Sequence, residues 1–294
     1  TPHETTRRQR QMCIRDSQLT INQRPLAATI ARQYDGTKTA AGSDLSSFDA
    51  LQGGETLTLS GSGTVGDENV ANGQGITLGT LALVDGTGLA SNYSLNSASL
   101  NITERVLNSS GSKTYDANTN ALAGAITLSN LVSGEALNHS GTATISSANA
   151  GSYTITNLAG ITIADGSGGT ASNYTLTGGT HNFTVNPKVV SIQGNKTYDG
   201  NTTISSGDIT SITDTVGAET LVISSGSGTV SSANAATYAS ADINEGTLTL
   251  GNGTNGGLAS NYTLTGHAAS SFQVTQRVLS SSGSRIYDGS TTAG

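Results

Sequence analysis

Short runs in which apolar and polar residues alternate make up most of the chain. Apolar side chains two positions apart predict a β-strand with one buried face. Such runs recur as Leu19-Thr20-Ile21, Leu100-Asn101-Ile102, Phe183-Thr184-Val185 and Phe272-Gln273-Val274. With the shorter runs between them, they give about seven strands in roughly 80 residues, which is typical of an antiparallel β-sandwich. The pattern therefore predicts an all-β chain of tandem antiparallel immunoglobulin-like β-sandwich modules.

The segment around Gly178-Gly179 carries the clearest local signal. Alternating runs at 174–176 and 183–185 lie on either side of the two glycines, and this arrangement predicts a two-residue hairpin turn. A hairpin needs antiparallel neighbours. It therefore favours sandwiches over the alternative, a parallel β-helix or solenoid, in which coils of roughly 20 residues would each resemble the next.

Two markers repeat in register along the chain. The first is Tyr-Asp, followed by glycine in three of four copies, and it comprises Tyr34, Asp35 and Gly36; Tyr115 and Asp116; Tyr198, Asp199 and Gly200; and Tyr287, Asp288 and Gly289. The second is Ala-Ser-Asn-Tyr, which ends in Asn92 and Tyr93, Asn173 and Tyr174, and Asn261 and Tyr262. Matching pieces between the markers contain Glu55, Glu135 and Glu219. A period of about 80 to 90 residues predicts one small domain per repeat.

The markers divide the chain into repeats at residues 18–104, 105–187 and 188–276, and residues 277–294 begin a truncated fourth copy. We therefore expect a fragment of a longer protein. Residues 1–17 are Arg-rich and outside the pattern, and we interpret them as a non-native leader, with a genuine basic arm as the alternative. Because only one or two polar residues separate the repeats, neighbouring repeats are expected to have little freedom.

The Tyr-Asp-Gly copies are predicted to form turns. The aspartate can accept a hydrogen bond from the backbone N–H two residues on, and glycine tolerates positive φ. Since the second copy has Ala117 at the glycine position, where positive φ is costly, we expect the turn to keep negative φ. The marker tyrosines of the three repeats are expected to be mostly buried, and Leu122 is expected in the core.

The composition restricts partners and chemistry. The formal net charge is −7, which repels phosphate backbones and anionic lipid surfaces, so nucleic acid is not an expected partner. A single cysteine, Cys13, excludes an internal disulfide framework. No stretch approaches the roughly 18 apolar residues of a membrane span, so we expect no membrane insertion in this segment.

We predict no catalytic, cofactor-binding or metal-binding residues, and therefore no enzyme. His3, His139, His181 and His267 do not form a converging set, and each is expected at the surface. Loops beginning at Asp85, Asp165 and Asn252 have too few carboxylates for calcium and are expected to be ordinary turns. Exposed tyrosines could stack on sugar rings, so carbohydrate binding is the alternative function, although Tyr93, Tyr174 and Tyr262 alternate with leucines and are expected in the core.

Lys/Arg-x-Tyr-Asp-Gly and Ala-Ser-Asn-Tyr, repeated in register after Ser17, resemble the YDG repeats of large bacterial surface proteins. Ala117 departs from the motif. The resemblance implies non-catalytic stalk or spacer repeats of a secreted or cell-surface adhesin similar to filamentous haemagglutinins. It also implies an extracellular, outer-membrane-associated location. The expected partners are flanking repeats of the same chain and host or matrix glycans or proteins.

Overall fold

The computed structural model describes residues 20–289, and it confirms the all-β class. The predicted leader at 1–17, with His3 and Cys13, lies outside this range. The strands of the first repeat are β1 (Arg24–Gln33), β2 (Thr39–Ala41), β3 (Leu45–Phe48), β4 (Leu57–Ser60), β5 (Ser62–Thr64), β6 (Ala71–Gly75), β7 (Ala82–Asp85) and β8 (Tyr93–Thr103).

The later repeats follow the same order with more, shorter strands. Those of the second repeat are β9 (Arg105–Val106), β10 (Asn108–Thr114), β11 (Asn120–Leu122), β12 (Ile126–Ser129), β13 (Asn138–Ile145), β14 (Gly151–Asn157), β15 (Ile161–Ala164), β16 (Tyr174–Thr175) and β17 (His181–Asn186). Those of the third are β18 (Lys188–Val189), β19 (Ser191–Thr197), β20 (Thr203–Ser205), β21 (Ile209–Thr213), β22 (Leu221–Ser225), β23 (Ser227–Val230), β24 (Ala236–Ala239), β25 (Ile243–Asn244), β26 (Thr249–Asn252), β27 (Tyr262–Thr263) and β28 (Ser271–Thr275). Single 3-10 turns occupy Gly42–Asp44, Ala90–Asn92, Ala123–Ala125, Ala171–Asn173, Ser206–Asp208, Ser240–Asp242 and Ala259–Asn261.

One sheet arrangement recurs in all three repeats. Its orders are β3-β1-β8-β6, β12-β10-β17-β14 and β21-β19-β28-β24, so the first and last long strands of each repeat lie side by side at the centre. The outer strands pair with them antiparallel. The remaining strands form smaller ladders, which are antiparallel for β4 with β7 and for β22 with β26 but parallel for β18 with β27.

The two central strands run parallel, so the prediction of purely antiparallel modules is wrong for this pair. β1 lies beside β8, β10 beside β17 and β19 beside β28, all in parallel register. The partners are far apart in the chain, as in Ser109 and His181, which are separated by 72 residues. Alternation of apolar and polar residues shows which face of a strand is buried but not which strand lies next to it. The immunoglobulin-like strand order stays a prediction.

The hairpin predicted at Gly178-Gly179 does not form. After the turn, β17 pairs with β10 and β14, and the corresponding β27 and β28 of the third repeat pair with β18 and β19 rather than with each other. Gly178 does adopt φ +84°. Gly179 lies against backbone, because a Cβ there would come within 1.9 Å of the Leu107 carbonyl oxygen. The glycines therefore allow the chain to pass closely over β10, not to reverse between paired strands.

The described residues form two compact units. One comprises the residues up to Arg105 together with Ser172–Thr175, and the other comprises Val106–Ala171 with the residues from Leu176 onwards. In the first unit, Ile30, Leu100 and Ile102 are buried on the central strands. The core of the second unit contains, among others, Ile126, Phe183, Val185, Ile192, Phe272 and Val274. The repeat boundaries stay predictions.

Two sequence expectations about strand faces are wrong. Leu122 is 60% exposed, whereas its small neighbours Ala121 and Ala123 point inward. Ile21 lies in no strand and is 90% exposed. The matching runs at 100–102, 183–185 and 272–274 are last strands, each paired with the first long strand of its own repeat.

Candidate functional site

The Tyr-Asp-Gly turn of the third repeat is built around a buried lysine. The Lys196 ammonium, on a side chain that is 6% exposed, contacts the Asp199 carboxylate at 3.1 Å. It also donates to the backbone carbonyls of Asn201 and Thr203, both at 2.8 Å, and to the Asn201 side-chain oxygen at 3.0 Å. A buried ammonium is tolerated only when it is paired in this way. The lysine therefore fixes the turn onto the end of β19.

The other two repeats use the same device. Lys113 contacts Asp116 at 2.8 Å and donates to the carbonyls of Asn118 and Asn120 at 2.7 and 2.9 Å. In the first repeat an arginine takes this place: Arg32 forms an ion pair with Asp35 and donates to the Thr37 carbonyl at 2.6 Å. The basic residue of the sequence motif is therefore part of the turn itself.

The aspartates make the predicted hydrogen bond. Asp35, Asp116 and Asp199 accept from the backbone N–H two residues on, at 2.9, 3.2 and 3.1 Å. The Asn201 N–H and the Lys196 ammonium lower the pKa of Asp199. Burial opposes ionisation of Asp116, but the Lys113 ammonium and the Asn118 N–H outweigh it and lower the pKa of that carboxyl. Both carboxylates are therefore held in their charged form.

The expected negative φ at Ala117 is wrong. Ala117 has φ 60°, close to the values of 74°, 84° and 80° at Gly36, Gly200 and Gly289. The contact between the basic residue and the aspartate is shared by all four copies, and all four adopt the same left-handed turn whether glycine or alanine follows. Ala117 therefore adopts a conformation that costs an L-residue roughly 1–2 kcal/mol.

Five of the six marker tyrosines in the three repeats are buried, as predicted, and one is not. Tyr34, Tyr115, Tyr93, Tyr174 and Tyr262 are between 3% and 5% exposed, but Tyr198 is 41% exposed. Tyr287 is also exposed. Tyr34, Tyr115 and Tyr198 share one backbone hydrogen bond, from their N–H to the carbonyl of Thr103, Asn186 or Thr275, at 2.8–2.9 Å. Tyr198 therefore differs in what covers its ring, not in its backbone position.

In the second unit, a tyrosine from each marker meets one glutamate. Tyr115, from the second repeat, donates to one carboxylate oxygen of Glu219 at 2.7 Å, and Tyr262, from the third, donates to the other at 2.6 Å. The two rings contact edge to face, with centroids 5.3 Å apart and planes at 78°. The Tyr262 hydroxyl also accepts the Val216 N–H at 2.9 Å.

A pair of asparagines lies in the same region of the second unit. The Asn261 side chain accepts the Ala150 N–H at 2.8 Å and donates to the Asn149 side-chain oxygen at 3.0 Å. Asn261 is fully buried. We call Tyr115, Asn149, Glu219, Asn261 and Tyr262 the junction cluster. It joins the second repeat to the third by hydrogen bonds across more than 100 residues of chain.

The first unit contains corresponding contacts. The Asn173 side chain accepts the Val70 N–H at 2.9 Å and donates to the Asn69 side-chain oxygen at 2.7 Å. The rings of Tyr34 and Tyr174 meet edge to face, with centroids 5.5 Å apart. In both units, therefore, a tyrosine of the Tyr-Asp marker contacts the tyrosine of an Asn-Tyr marker.

The hydroxyls of Tyr93, Tyr115 and Tyr262 are held protonated. Burial and the hydrogen bond to Glu219 raise the pKa of Tyr115 and of Tyr262 to about 12 each. In the first repeat, Tyr93 donates to the Glu55 carboxylate and accepts the Gln52 N–H at 3.2 Å. The hydrogen bond to Glu55 raises the pKa of Tyr93.

The three loops considered for calcium use their side-chain oxygens to position the Asn-Tyr marker. Asp85, Asp165 and Asn252 accept the N–H of Ala90, Ala171 and Ala259, respectively, at 2.7–2.8 Å. These alanines begin the 3-10 turns that contain Asn92, Asn173 and Asn261.

The surface prediction is wrong for His181. It is buried, with one ring nitrogen 3.0 Å from the Ser109 hydroxyl and the other 2.8 Å from the Leu176 carbonyl. The surface prediction is also wrong for His267, whose side chain is 5% exposed and lies 3.4 Å from the Glu245 carboxylate. His139 is half-buried. Within residues 20–289, no group of three or more His, Cys, Asp or Glu side chains is placed to hold a metal ion. The same range contains no helix with the length and apolar character that crossing a membrane requires.

Sequence reasoning identified the marker tyrosines and asparagines but missed Glu219, Asn149 and the structural role of Lys196. Each had a signal. Glutamate recurs in the matching pieces at Glu55, Glu135 and Glu219, and Ser-Ala-Asn-Ala occurs at both 147–150 and 232–235.

Three repeats with one sheet order, one lysine- or arginine-centred turn and recurring Asn-Tyr contacts define a tandem all-β repeat protein. A family model described as the YDG domain matches residues 17–101, 99–182 and 182–271. The chain therefore belongs to the YDG domain family. No curated protein and no solved structure gives a significant match.

Proposed function

We propose that the chain is a non-catalytic structural spacer, or stalk segment, of a bacterial cell-surface or secreted adhesin. The observation that carries this proposal is the parallel pairing of the first and last long strands in every repeat. Tension applied to the two ends of a repeat pulls such neighbours along their axes in opposite directions. The evenly spaced hydrogen bonds of the parallel ladder are then loaded together, in shear, and not one after another.

The contacts between markers also support a spacer. A spacer that transmits tension keeps its direction better when neighbouring repeats do not rotate relative to each other. In the second unit, the junction cluster ties the second repeat to the third through Glu219 and the Asn149–Asn261 pair. Hydrogen bonds to a charged carboxylate are among the stronger ones in proteins, at about 1.5–3 kcal/mol each.

Glycan binding is the alternative that the marker tyrosines first suggested. Tyr93, Tyr174 and Tyr262 are buried, so their rings offer no face on which a sugar could stack. A glycan array with the intact chain tests this alternative directly. Saturable binding that an exposed-tyrosine variant abolishes would replace the spacer proposal with an adhesive one.

Single-molecule pulling on the third repeat tests the shear argument. With Cys13 replaced by serine, cysteines at Pro187 and Gln276 attach the handles to the beginning and end of the repeat, so that β19 and β28 shear. Cysteines at Pro187 and Ala268 attach both handles at the same end of these parallel strands, so that they unzip. We expect a clearly higher rupture force for the first pair. Equal forces in the two geometries would contradict the proposal.

The proposed location has its own test. Antibodies against the purified chain should label intact, unpermeabilised cells of the organism that carries the gene, or its culture supernatant. Labelling only after permeabilisation would contradict the location while leaving the mechanical argument unaffected.

A further inference from the structure

The loop that precedes the Asn-Tyr marker is longer in the third repeat than in the first. The side-chain oxygen of Asp85 accepts an N–H five residues on, whereas that of Asn252 accepts one seven residues on. The longer loop carries Asn255 directly before Gly256, and both residues are exposed. Asparagine followed by glycine is prone to lose its side-chain amide spontaneously, because glycine has no Cβ to shield its backbone nitrogen.

The Asn255 side chain joins this loop to the turn that carries Glu219 of the junction cluster. Its Nδ2 donates to the Ala218 carbonyl at 2.9 Å. Ala218 is absent from the matching pieces of the other repeats, so the two insertions of the third repeat contact each other. The next N–H, that of Glu219, donates to the Val216 carbonyl at 3.1 Å. A change at the Asn255 amide therefore acts directly on the turn that positions Glu219.

The chain contains three Asn-Gly pairs, whose glycines are Gly73, Gly253 and Gly256. The Gly73 N–H donates to the Asn101 side-chain oxygen at 2.7 Å, and the Gly253 N–H donates to the Gly257 carbonyl at 3.0 Å. In the part of the chain that the structure describes, no hydrogen bond holds the Gly256 N–H, and a Cβ at Gly256 would meet no atom within 4 Å. The Gly256 nitrogen is therefore the least hindered of the three.

We propose that Asn255 is a site of spontaneous deamidation and that its conversion loosens the junction cluster. In mildly alkaline water, hydroxide removes the Gly256 N–H proton and the nitrogen attacks the Asn255 Cγ. The side-chain nitrogen leaves as ammonia, taking a proton from water, and a second water opens the five-membered imide to aspartate or isoaspartate. An ionised carboxylate only accepts hydrogen bonds, so it repels the Ala218 carbonyl oxygen that the amide holds. The inference does not depend on the proposed location or mechanical role.

Ageing the intact chain in mildly alkaline buffer, followed by peptide mapping with fragmentation mass spectrometry, tests the modification. Asn255 should gain the mass difference between an amide and an acid several-fold faster than Asn72 and Asn252, and isoaspartate should accompany aspartate there. Asn255→Gly keeps a residue that tolerates the φ of 56° at this position and should abolish the fast reaction. Equal rates at the three asparagines would overturn the proposal.

Amide hydrogen exchange at Glu219 tests the consequence for the junction cluster. The aged chain and Asn255→Asp, which reproduces one of the two products, should each lose protection at the Glu219 N–H several-fold. Asn72→Asp is the matched control, because it places the same charge at an exposed Asn-Gly pair of the first unit, and it should leave this protection unchanged. Unchanged protection in Asn255→Asp, or an equal loss in Asn72→Asp, would overturn the link between Asn255 and the junction cluster.

Discussion

The backbone conformation of the turn favours glycine as the residue that follows Tyr-Asp. Ala117 has φ 60° in a turn that is otherwise made by glycine. Ala117→Gly should therefore stabilise the second repeat by about 1 kcal/mol, because glycine adopts positive φ without steric cost. Native-state hydrogen exchange of the β10 and β17 amides measures the change in free energy.

Gly200→Ala is the matched control in the third repeat. A Cβ at Gly200 would have no atom within 4 Å, so the substitution tests the backbone alone. It should destabilise the third repeat by about the amount that Ala117→Gly stabilises the second. If Ala117→Gly is neutral or destabilising, the strain assigned to this turn is not present.

Ionisation of the junction tyrosines should make the second unit sensitive to alkali. Tyr115 and Tyr262 have pKa values of about 12 in the folded chain, against about 10 in an unfolded one. A raised folded pKa gives stability that is complete below about pH 10 and is lost as the pH rises through about 12. Unfolding free energies measured from pH 9 to pH 12 should fall over this window.

The double variant Tyr115→Phe with Tyr262→Phe removes both hydroxyls and should flatten that fall. Absorbance titration of phenolate should also lose its late phase in the double variant. A single phase near pH 10 in the intact chain would contradict the protected hydroxyls.

At the scale of elements, the turn depends on its buried cation. Lys196→Met removes the ammonium that donates to Asp199 and to two backbone carbonyls. The third repeat should lose about 2 kcal/mol, the scale of hydrogen bonds to a charged group. Urea unfolding, monitored by a signal that reports on the third repeat, measures this loss in the free energy of unfolding.

Two companion variants sharpen that test. Lys196→Arg should retain much of the stability, since Arg32 takes this place in the first repeat. Lys38→Met should change little, because Lys38 is 55% exposed and its partner Glu68 lies 3.4 Å away. Equal losses at Lys38 and Lys196 would show that the buried position has no special role.

Strand faces could be predicted from the sequence better than strand neighbours. Residues two apart, such as Phe183 and Val185, are buried as expected. The prediction that Leu122 lies in the core was wrong because the inward positions beside it hold alanines, which give a weak apolar signal. The hairpin predicted at Gly178-Gly179 was wrong because a pair of glycines permits a close approach of two backbone segments as well as a hairpin turn. The pairing of β10 with β17 could not be foreseen, since nothing local specifies a partner that far along the chain.

At the scale of the whole molecule, the sequence revealed the repeat and its markers but not their joint role. Tyr115 and Glu219 are 104 residues apart, and only folding shows that they meet. The exposure of Tyr198 also could not be predicted from the sequence, because Tyr198 lies in the same Lys/Arg-x-Tyr-Asp pattern as the buried Tyr34 and Tyr115. Whether a marker tyrosine is buried depends on what lies against it, not on the marker.

We expect the junction cluster to hold the second repeat in a fixed orientation relative to the third. Distances between spin labels at Thr127 in β12 and Thr237 in β24, both exposed, measure this most directly when Cys13 is replaced by serine. We predict one narrow distance distribution, which broadens when Glu219→Gln and Asn261→Ala are combined. A distribution as broad in the intact cluster as in the double variant would contradict the claim.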